Sequence, residues 1–466
     1  MKRKTKKKTD KNKDKSNLDA FFSANSIAVI GVSRDPKKIG HAIFSNLLPY
    51  KRKLFPINPN AQYILNYKCY PSILNVKDKI DLAIIAIPAQ KVLHAVQECG
   101  KKGIKNIIII SSGFKEIGNY KLEKKLSDLL QKYKIKCIGP NCLGTFDTYT
   151  KLDTLFIPRY KLIRPTQGGI SFICQSGAVG AALLDMAASQ HHGFSKFISY
   201  GNAVNTDESD LLEYLASDAK TKVICLYLEG LSNGRKFFET AKKVSKQKPI
   251  IAIKAGKTEK SEKAVISHTG ALAGKAEIYH GVFSQAGIIE ATQISDIFDF
   301  AKIIEKCSPP KGNRIQIITN GGGYGILATD AITNAEMEMA ELSPKTKADL
   351  KKKFPPTVTV DNPLDLTGDA TAERYETALS SCIEEKNVDI LLIIILYQTP
   401  LLTEEIIKTL SKFNEQRKKP IIVISIGGES TEKLKKRLEI KNIPAYSFPE
   451  NAVRAIKAFC KYYPKK

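Results

Sequence analysis

The chain has no tryptophan, and only four methionines and six histidines in 466 residues. Without tryptophan, and without aromatics interleaved among its basic residues, it lacks the stacking platforms with which single-strand nucleic-acid binders hold bases. Its nine cysteines (69, 99, 137, 142, 174, 225, 307, 382, 460) include no C-x-x-C pair. Most lie inside apolar segments, the pattern of reduced, buried thiols in a cytoplasmic protein rather than of a disulfide frame or zinc site. Long hydrophobic runs are missing too. The longest, "VDILLIIILY" (388–397), is strand-sized and far short of the roughly 20 residues a membrane-spanning helix needs. Acidic residues are outnumbered, leaving a formal net charge of +26. The first fifteen residues, "MKRKTKKKTDKNKDK", carry +7 of this with no apolar residue after Met1. Residues 1–16 therefore read as a disordered basic tail, and the lack of an apolar core sets that tail apart from a signal peptide. The other +19 is dispersed along the body, which suits polyanionic small molecules as well as nucleic acid. Neither a nucleic-acid nor a membrane partner is expected.

What is present is a strict alternation. Apolar strand-like runs such as "SIAVIGVS", "DLAIIAIPA", "NIIIISSGF", "KVICLYLEG" and "PIIAIKAG" are separated by amphipathic helical stretches. Continuous rather than alternating hydrophobicity implies strands covered on both faces, hence parallel sheets in doubly wound α/β domains. Three segments repeat a strand, a Gly/Ser turn and a helix: "AVIGVSRDPKKIGHAI" (28–43), "SFICQSGAVGAALL" (171–184) and "QIITNGGGYGILATDAI" (316–332). Each opens a domain. Pro- and Gly-rich linkers fall at "KLIRPTQGG" (161–169) and "CSPPKGN" (307–313), and the expected boundaries are 17–150, 165–306 and 310–466.

The first turn is not G-x-G-x-x-G, since Gly31 and Ser33 are followed by Gly40, so a nicotinamide fingerprint is poorly matched. It still offers backbone N–H groups and a helix N-terminus to a phosphate, with Lys37 and Lys38 adding charge. Later strand ends, "AIPA" around Pro88, "SSGF" (111–114) and "GPNCLG" (139–144), would line one rim with backbone donors, as a long nucleotide-like ligand requires. "GALAGKA" (270–276) fails as a Walker loop twice: Thr269 stands where the first glycine belongs and Ala276 where Ser or Thr belongs. "QSGAV" (175–179) and "NGGGYG" (320–325) start helices with small residues; aimed at one point, two such ends make an anion cradle. In "VISHTGALAG" (265–274) a single histidine, His268, stands among small and hydroxyl residues. That is either a solvated loop histidine or a nucleophile with room for a phosphate. Glu229 ends the strand "LYLEG" 39 residues earlier; a carboxylate on one ring nitrogen fixes the tautomer and leaves the other nitrogen nucleophilic. In "NTDESD" (205–210) Asp207 reads as a helix N-cap.

Taken in order, "VIGVSRDPKKIGHAI", "GPNCLG", "CQSGAVGAALLD", "DESDLLEYLA", "LYLEG", "SHTGALAG", "TNGGGYGILATDAI" and "NPLDLTGDA" resemble the α subunit of archaeal-type ADP-forming acyl-CoA synthetases, relatives of succinyl-CoA ligase. The resemblance runs from about residue 17 to the end of the sequence. It implies a Rossmann-like CoA-binding domain followed by two flavodoxin-like, succinyl-CoA ligase-like domains. It also implies a phosphohistidine at His268 held by Glu229. Phosphate contacts would come from Ser176, Gly177, Ser267, Gly270, Gly321, Gly322 and Gly323, and CoA contacts from Gly31, Ser33, Lys37, Gly40, Asn58, Pro88, Ser112 and Asn141. No metal ligand is expected on this chain. ADP or ATP and Mg²⁺ are implied to sit mainly on a separate ATP-grasp β subunit in an α₂β₂ assembly. Tyr324 departs from the pattern, which has a smaller residue or proline there.

The activity implied is acyl-CoA plus ADP plus inorganic phosphate to a carboxylic acid, ATP and CoA, through an acyl phosphate and then a phosphohistidine. A CoA- or nucleotide-sensing regulator, or the non-catalytic part of a protein acyltransferase system, is the alternative. The presence of His268 with Glu229 favours the ligase, because a sensor needs neither.

Overall fold

The computed structural model describes residues 18–261 and 275–463. The Lys-rich tail lies outside the described residues, and so do His268, Ser267 and Gly270. Three main sheets follow one another along the chain. The first has five parallel strands, in spatial order Lys53–Ile57, Ser26–Ile30, Leu82–Ile85, Asn106–Ile109 and Lys136–Ile138. The second runs Ile289–Glu290, Ile250–Lys254, Val223–Leu228, Gln167–Cys174, Phe194–Ser199, Gly144–Asp147. The third runs Glu338–Met339, Arg314–Thr319, Ile390–Ile394, Ile421–Ile424, Ala445–Tyr446, with Leu364–Asp365 paired to the end of Arg314–Thr319. Ser26–Ile30, Ile250–Lys254 and Ile390–Ile394 are buried at every residue, as strands sandwiched between helix layers must be. All nine cysteines are free, and eight are buried.

The order of the first sheet reverses beside Ser26–Ile30, and a crevice opens there at the carboxyl ends of the strands, where such sheets take their ligands. Two glycines make that corner possible. Gly31 has a φ of +98°, and a Cβ on it would stand 2.3 Å from the Ala86 carbonyl oxygen. A Cβ on Gly40 would stand 2.0 Å from the oxygen of Gly31. Helix Ile39–Leu47 can therefore seat against the strand end only with glycine at both places.

The second sheet takes one strand from before the Pro- and Gly-rich linker. Gly144–Asp147 pairs with Phe194–Ser199 as the antiparallel edge of that sheet. An antiparallel neighbour needs no crossover helix, so the strand–turn–helix repeat gives no sign of it. The first and second sheets are thus joined by only the five residues 139–143.

Side chains close both domain junctions. Between the first and second, the Phe22 and Tyr214 rings stack at 5.0 Å, and the Asn46 amide donates to the oxygens of Leu155 (2.8 Å) and Ile157 (3.0 Å). Between the second and third, helix Asp296–Lys306 packs on helix Pro449–Tyr462. Lys302 donates to the Ala445 oxygen at 2.7 Å, and Lys306 pairs with the buried carboxylate of Glu439. Breaking one side of a buried ion pair costs about 3–5 kcal/mol, because the other charge stays buried. Lys306→Met should lower the unfolding free energy by that amount in denaturant titration, and adding Glu439→Leu should restore most of it.

Candidate active site

The crevice of the first sheet is one wall of a cavity of about 1430 Å³ whose other wall is the second domain. Gly31, Ser33, Lys37, Gly40, Asn58, Pro88, Ser112 and Asn141 all line it, and Ser176, Gly177 and Glu229 face them from the opposite wall. Gly321, Gly322 and Gly323 are not on its walls.

The turn after Ser26–Ile30 is built by its own side chains. The Ser33 hydroxyl accepts from the Asp35 N–H (3.0 Å), and the Asp35 carboxylate accepts from the Lys37 N–H (2.9 Å). Lys37 and Lys38 are thereby held at the cavity mouth, directly before helix Ile39–Leu47. The Asn58 amide donates to the Val32 oxygen (2.7 Å), so this residue pins the turn as well as lining the cavity. Pro88 is the N-cap of helix Ala89–Lys101. The helix brings Lys91 and His94, which the motifs did not single out, to the same wall. Asn141 takes the left-handed conformation at φ 58°, and its N–H donates to the Ser111 oxygen at 2.9 Å.

On the facing wall Ser176 caps helix Gly177–Ser189, its hydroxyl accepting from the Val179 N–H at 3.3 Å. The free N–H groups of such a helix start and its dipole favour an anion. Glu229 follows strand Val223–Leu228 and is buried. Its N–H and that of Gly230 both donate to the side-chain oxygen of Gln175, at 2.7 and 3.1 Å. Gln175 is thus the residue that fixes the Glu229 turn to the Ser176 helix start, a role its place inside "QSGAV" did not reveal. The neighbouring strand, Ile250–Lys254, pairs Lys254 with Leu228. Lys254 is thus one strand away from the end that leads to Glu229; the described chain continues to Ser261 and resumes at Lys275, and His268 lies outside the described residues.

Gly321 caps helix Gly322–Asn334 in the third domain. Its N–H donates to the Thr319 hydroxyl (2.9 Å), and a Cβ on Gly322 would lie 2.6 Å from a carboxylate oxygen of Asp365. The small residues therefore make room for Asp365 at this helix end. Among the described residues, no group of three or more His, Cys, Asp or Glu comes together to hold a metal ion. No helix of the described residues is long and apolar enough to cross a membrane.

The two walls are tied together by Asn202, which sequence reasoning passed over. Its side-chain amide donates to Glu116 (2.7 Å) and Glu123 (2.8 Å) of the first domain. Its backbone carbonyl accepts from Lys115 (2.5 Å), and its backbone N–H donates to the Pro140 oxygen (2.9 Å). Burial alone would raise the Glu116 carboxyl, but the Asn202 amide and the N–H groups of Gly113 and Phe114 outweigh it and hold the group below the usual carboxylate range.

Residues 25–147 match the CoA binding domain, residues 167–304 the succinyl-CoA ligase like flavodoxin domain, and residues 315–463 the ligase-CoA domain. Fold and cavity together thus define a protein of the CoA-ligase class. The ADP-forming acetate–CoA ligase of Methanocaldococcus jannaschii is 43% identical over 441 residues, covering 94% of this chain and 62% of that protein. The α subunit of ADP-forming acetate–CoA ligase II of Pyrococcus furiosus is 40% identical over 450 residues, covering 95% of this chain and 97% of that subunit. Among solved structures, the dinucleotide forming acetyl-coenzyme A synthetase 1 of Ca. Korarchaeum cryptofilum, in complex with phosphate and ADP, superposes with a TM-score of 0.89 at 37% identity, covering 96% of this chain and 97% of that one. The chain belongs to the ADP-forming acetate–CoA ligase family.

The Asn202 contacts carry an expected outcome. Removing an amide that serves two half-buried carboxylates costs about 1–2 kcal/mol, so Asn202→Ala should show that loss in denaturant unfolding at pH 7. Glu116 titrates below its unfolded value, so its contribution is present above that value and fades as pH falls through the folded one. The difference between variant and wild type should therefore shrink when unfolding is repeated at about pH 3.

Proposed function

We propose that this chain is the α subunit of an ADP-forming acyl-CoA synthetase that interconverts acyl-CoA, ADP and inorganic phosphate with a carboxylic acid, ATP and CoA. The observation that carries this reading is the single cavity whose one wall is the CoA-type turn with Lys37 and Lys38 and whose other wall is the Ser176–Gly177 helix start with Glu229. A thioester reaching from the first wall to the second would meet a phosphate held at the helix start.

Lys37, Lys38 and the strand-end groups at Asn58, Pro88, Ser112 and Asn141 would hold the phosphates and pantetheine arm. Phosphate at Ser176 and Gly177 attacks the acyl carbon, giving an acyl phosphate and CoA. His268 then takes the phosphoryl group, and the acid leaves. Glu229 fixes the histidine tautomer and stabilises the imidazolium. Ser267 and Gly270 give the loop donors and hinge freedom without bulk. Gly321 to Gly323 form a second docking point on the way to the nucleotide. ADP and Mg²⁺ would be held by a separate ATP-grasp β subunit, in an α₂β₂ assembly of the cytoplasm. Transfers of this kind depend on positioning and charge neutralisation more than on covalent help.

Two experiments test this. Mixed with the partner subunit, the chain should take label onto His268 from γ-labelled ATP, and His268→Ala should take none. Glu229→Gln should reduce labelling without abolishing it, since its role is to orient. Label retained in the alanine variant would mean another nucleophile, and efficient labelling of the chain without its partner would mean a nucleotide site of its own. Calorimetry with the full chain should show CoA binding that is weakened about tenfold or more in Lys37→Ala/Lys38→Ala, through loss of charge-assisted contacts to phosphate, and unchanged in His268→Ala.

A further inference from the structure

One carboxyl on the cavity wall has no part in the chemistry above. Glu208 opens helix Glu208–Ser217 directly after its N-cap, Asp207. It lines the cavity together with Glu229 and Ser176, yet is only 2% exposed. Its Oε1 atom has no hydrogen-bond partner. A helix N-terminal acid is ordinarily a solvated contributor to the cap. A buried one with an unmet oxygen beside a ligand cavity is a different object.

The elements packed around Glu208 compensate its charge only in part. On its own helix, the Asp207 charge opposes its ionisation. The cation that acts on it, Lys236 on helix Gly234–Val244, is already bonded to Asp207 (2.9 Å) and Asp210 (2.7 Å). From the end of strand Phe194–Ser199, the fully buried Tyr200 hydroxyl stands beside it, short of a well-formed hydrogen bond. Tyr279 on helix Ala276–Ala286 feels the Glu208 charge, and Tyr200 feels both Glu208 and Glu229. Burial is the main cause that pushes the Glu208 carboxyl up to about 7, against its own backbone N–H, Tyr200 and Lys236.

We propose that Glu208 carries the proton of the thioester half-reaction, passing it from the attacking phosphate to the departing sulfur. This rests on the function proposed above. Hydrogen phosphate attacks the acyl carbon, an O–C bond forms and the C–S bond breaks. The phosphate O–H proton goes to the Glu208 carboxylate, and Glu208 returns a proton to the CoA sulfur. The products are a fully ionised acyl phosphate and CoA thiol, with Glu208 ionised again and no net proton taken up. Run backwards, the same carboxylate takes the thiol proton and gives it to phosphate, so both directions start from the ionised form. A group that titrates near neutrality can serve both transfers.

The test compares Glu208→Gln with wild type, each assembled with its partner subunit, by following CoA thiol release from acyl-CoA with phosphate and ADP between about pH 5.5 and 9. Free phosphate also titrates near neutrality, but equally for both proteins, so the ratio of their kcat/KM values isolates Glu208. That ratio should rise through pH 7 and level off at about 100-fold in favour of wild type. Glu208→Asp should keep the wild-type pH dependence and at least about a tenth of the rate. The neutral glutamine removes a charge that is costly to bury above pH 7, so its unfolding midpoint at pH 8 should match or exceed wild type. A ratio that is constant with pH, or a glutamine variant within twofold of wild type, would overturn the role. Phosphohistidine formation from ATP separates the failures. Its absence in wild type overturns the proposed function itself, whereas its presence with a flat ratio overturns the role of Glu208 alone.

Discussion

The cavity exists because Asn202 lets two domains share a wall without a gap. An asparagine side chain has two N–H donors and one carbonyl acceptor, and at Asn202 these, with the backbone N–H, cross the junction or turn toward it. The N–H donors reach Glu116 and Glu123, the backbone N–H reaches Pro140, and the side-chain oxygen faces the Asn141 amide at 3.4 Å. Gly201 beside it has a φ of +57°, and a Cβ there would stand 2.3 Å from the oxygens of both Pro140 and Asn141. The turn of one domain is therefore pressed onto the turn of the other until only backbone fits between them. The facing positions of Ser112 and Ser176 across the cavity depend on that closure.

The repeating strand–turn–helix units were legible because doubly covered parallel strands write continuous apolar runs, and helix starts at ligand sites write small residues. Seven of the eight positions on the first wall and the three on the second sit in motifs at strand ends or first turns, whereas Asn58 was named only through the family resemblance. Three kinds of feature could not be read. Gln175 and Asn202 act through contacts made by folding, Asn202 with residues 79 and 86 positions away, and neither residue type signals a partner. Glu208 lay within a motif that a capping role for Asp207 already explained, and only burial separates it from an ordinary first-turn acid. The edge strand Gly144–Asp147 pairs antiparallel, so the strand–turn–helix repeat carried no sign of it.

The junction between the second and third domains is of another kind. Lys302 and Lys306 on one helix reach the Glu439 carboxylate and the Ala445 oxygen of the third domain. Arg454 reaches back to Asp296 at 3.2 Å, and the Tyr446 hydroxyl donates to the Asp299 oxygen at 2.7 Å. Charged groups buried with specific partners fix orientation more than they add stability. They hold the Gly321 helix start at a set distance from the cavity.

The five residues 139–143 are at once the covalent bridge between the first two sheets and, at Asn141, Cys142 and Leu143, part of the cavity wall. Most two-domain enzymes keep hinge and pocket apart, so that one can bend while the other holds its shape. Here the connecting segment is itself part of the cavity wall. A change in the angle between the two walls would therefore redraw the outline of the cavity, and no part of that outline could move independently of the covalent bridge.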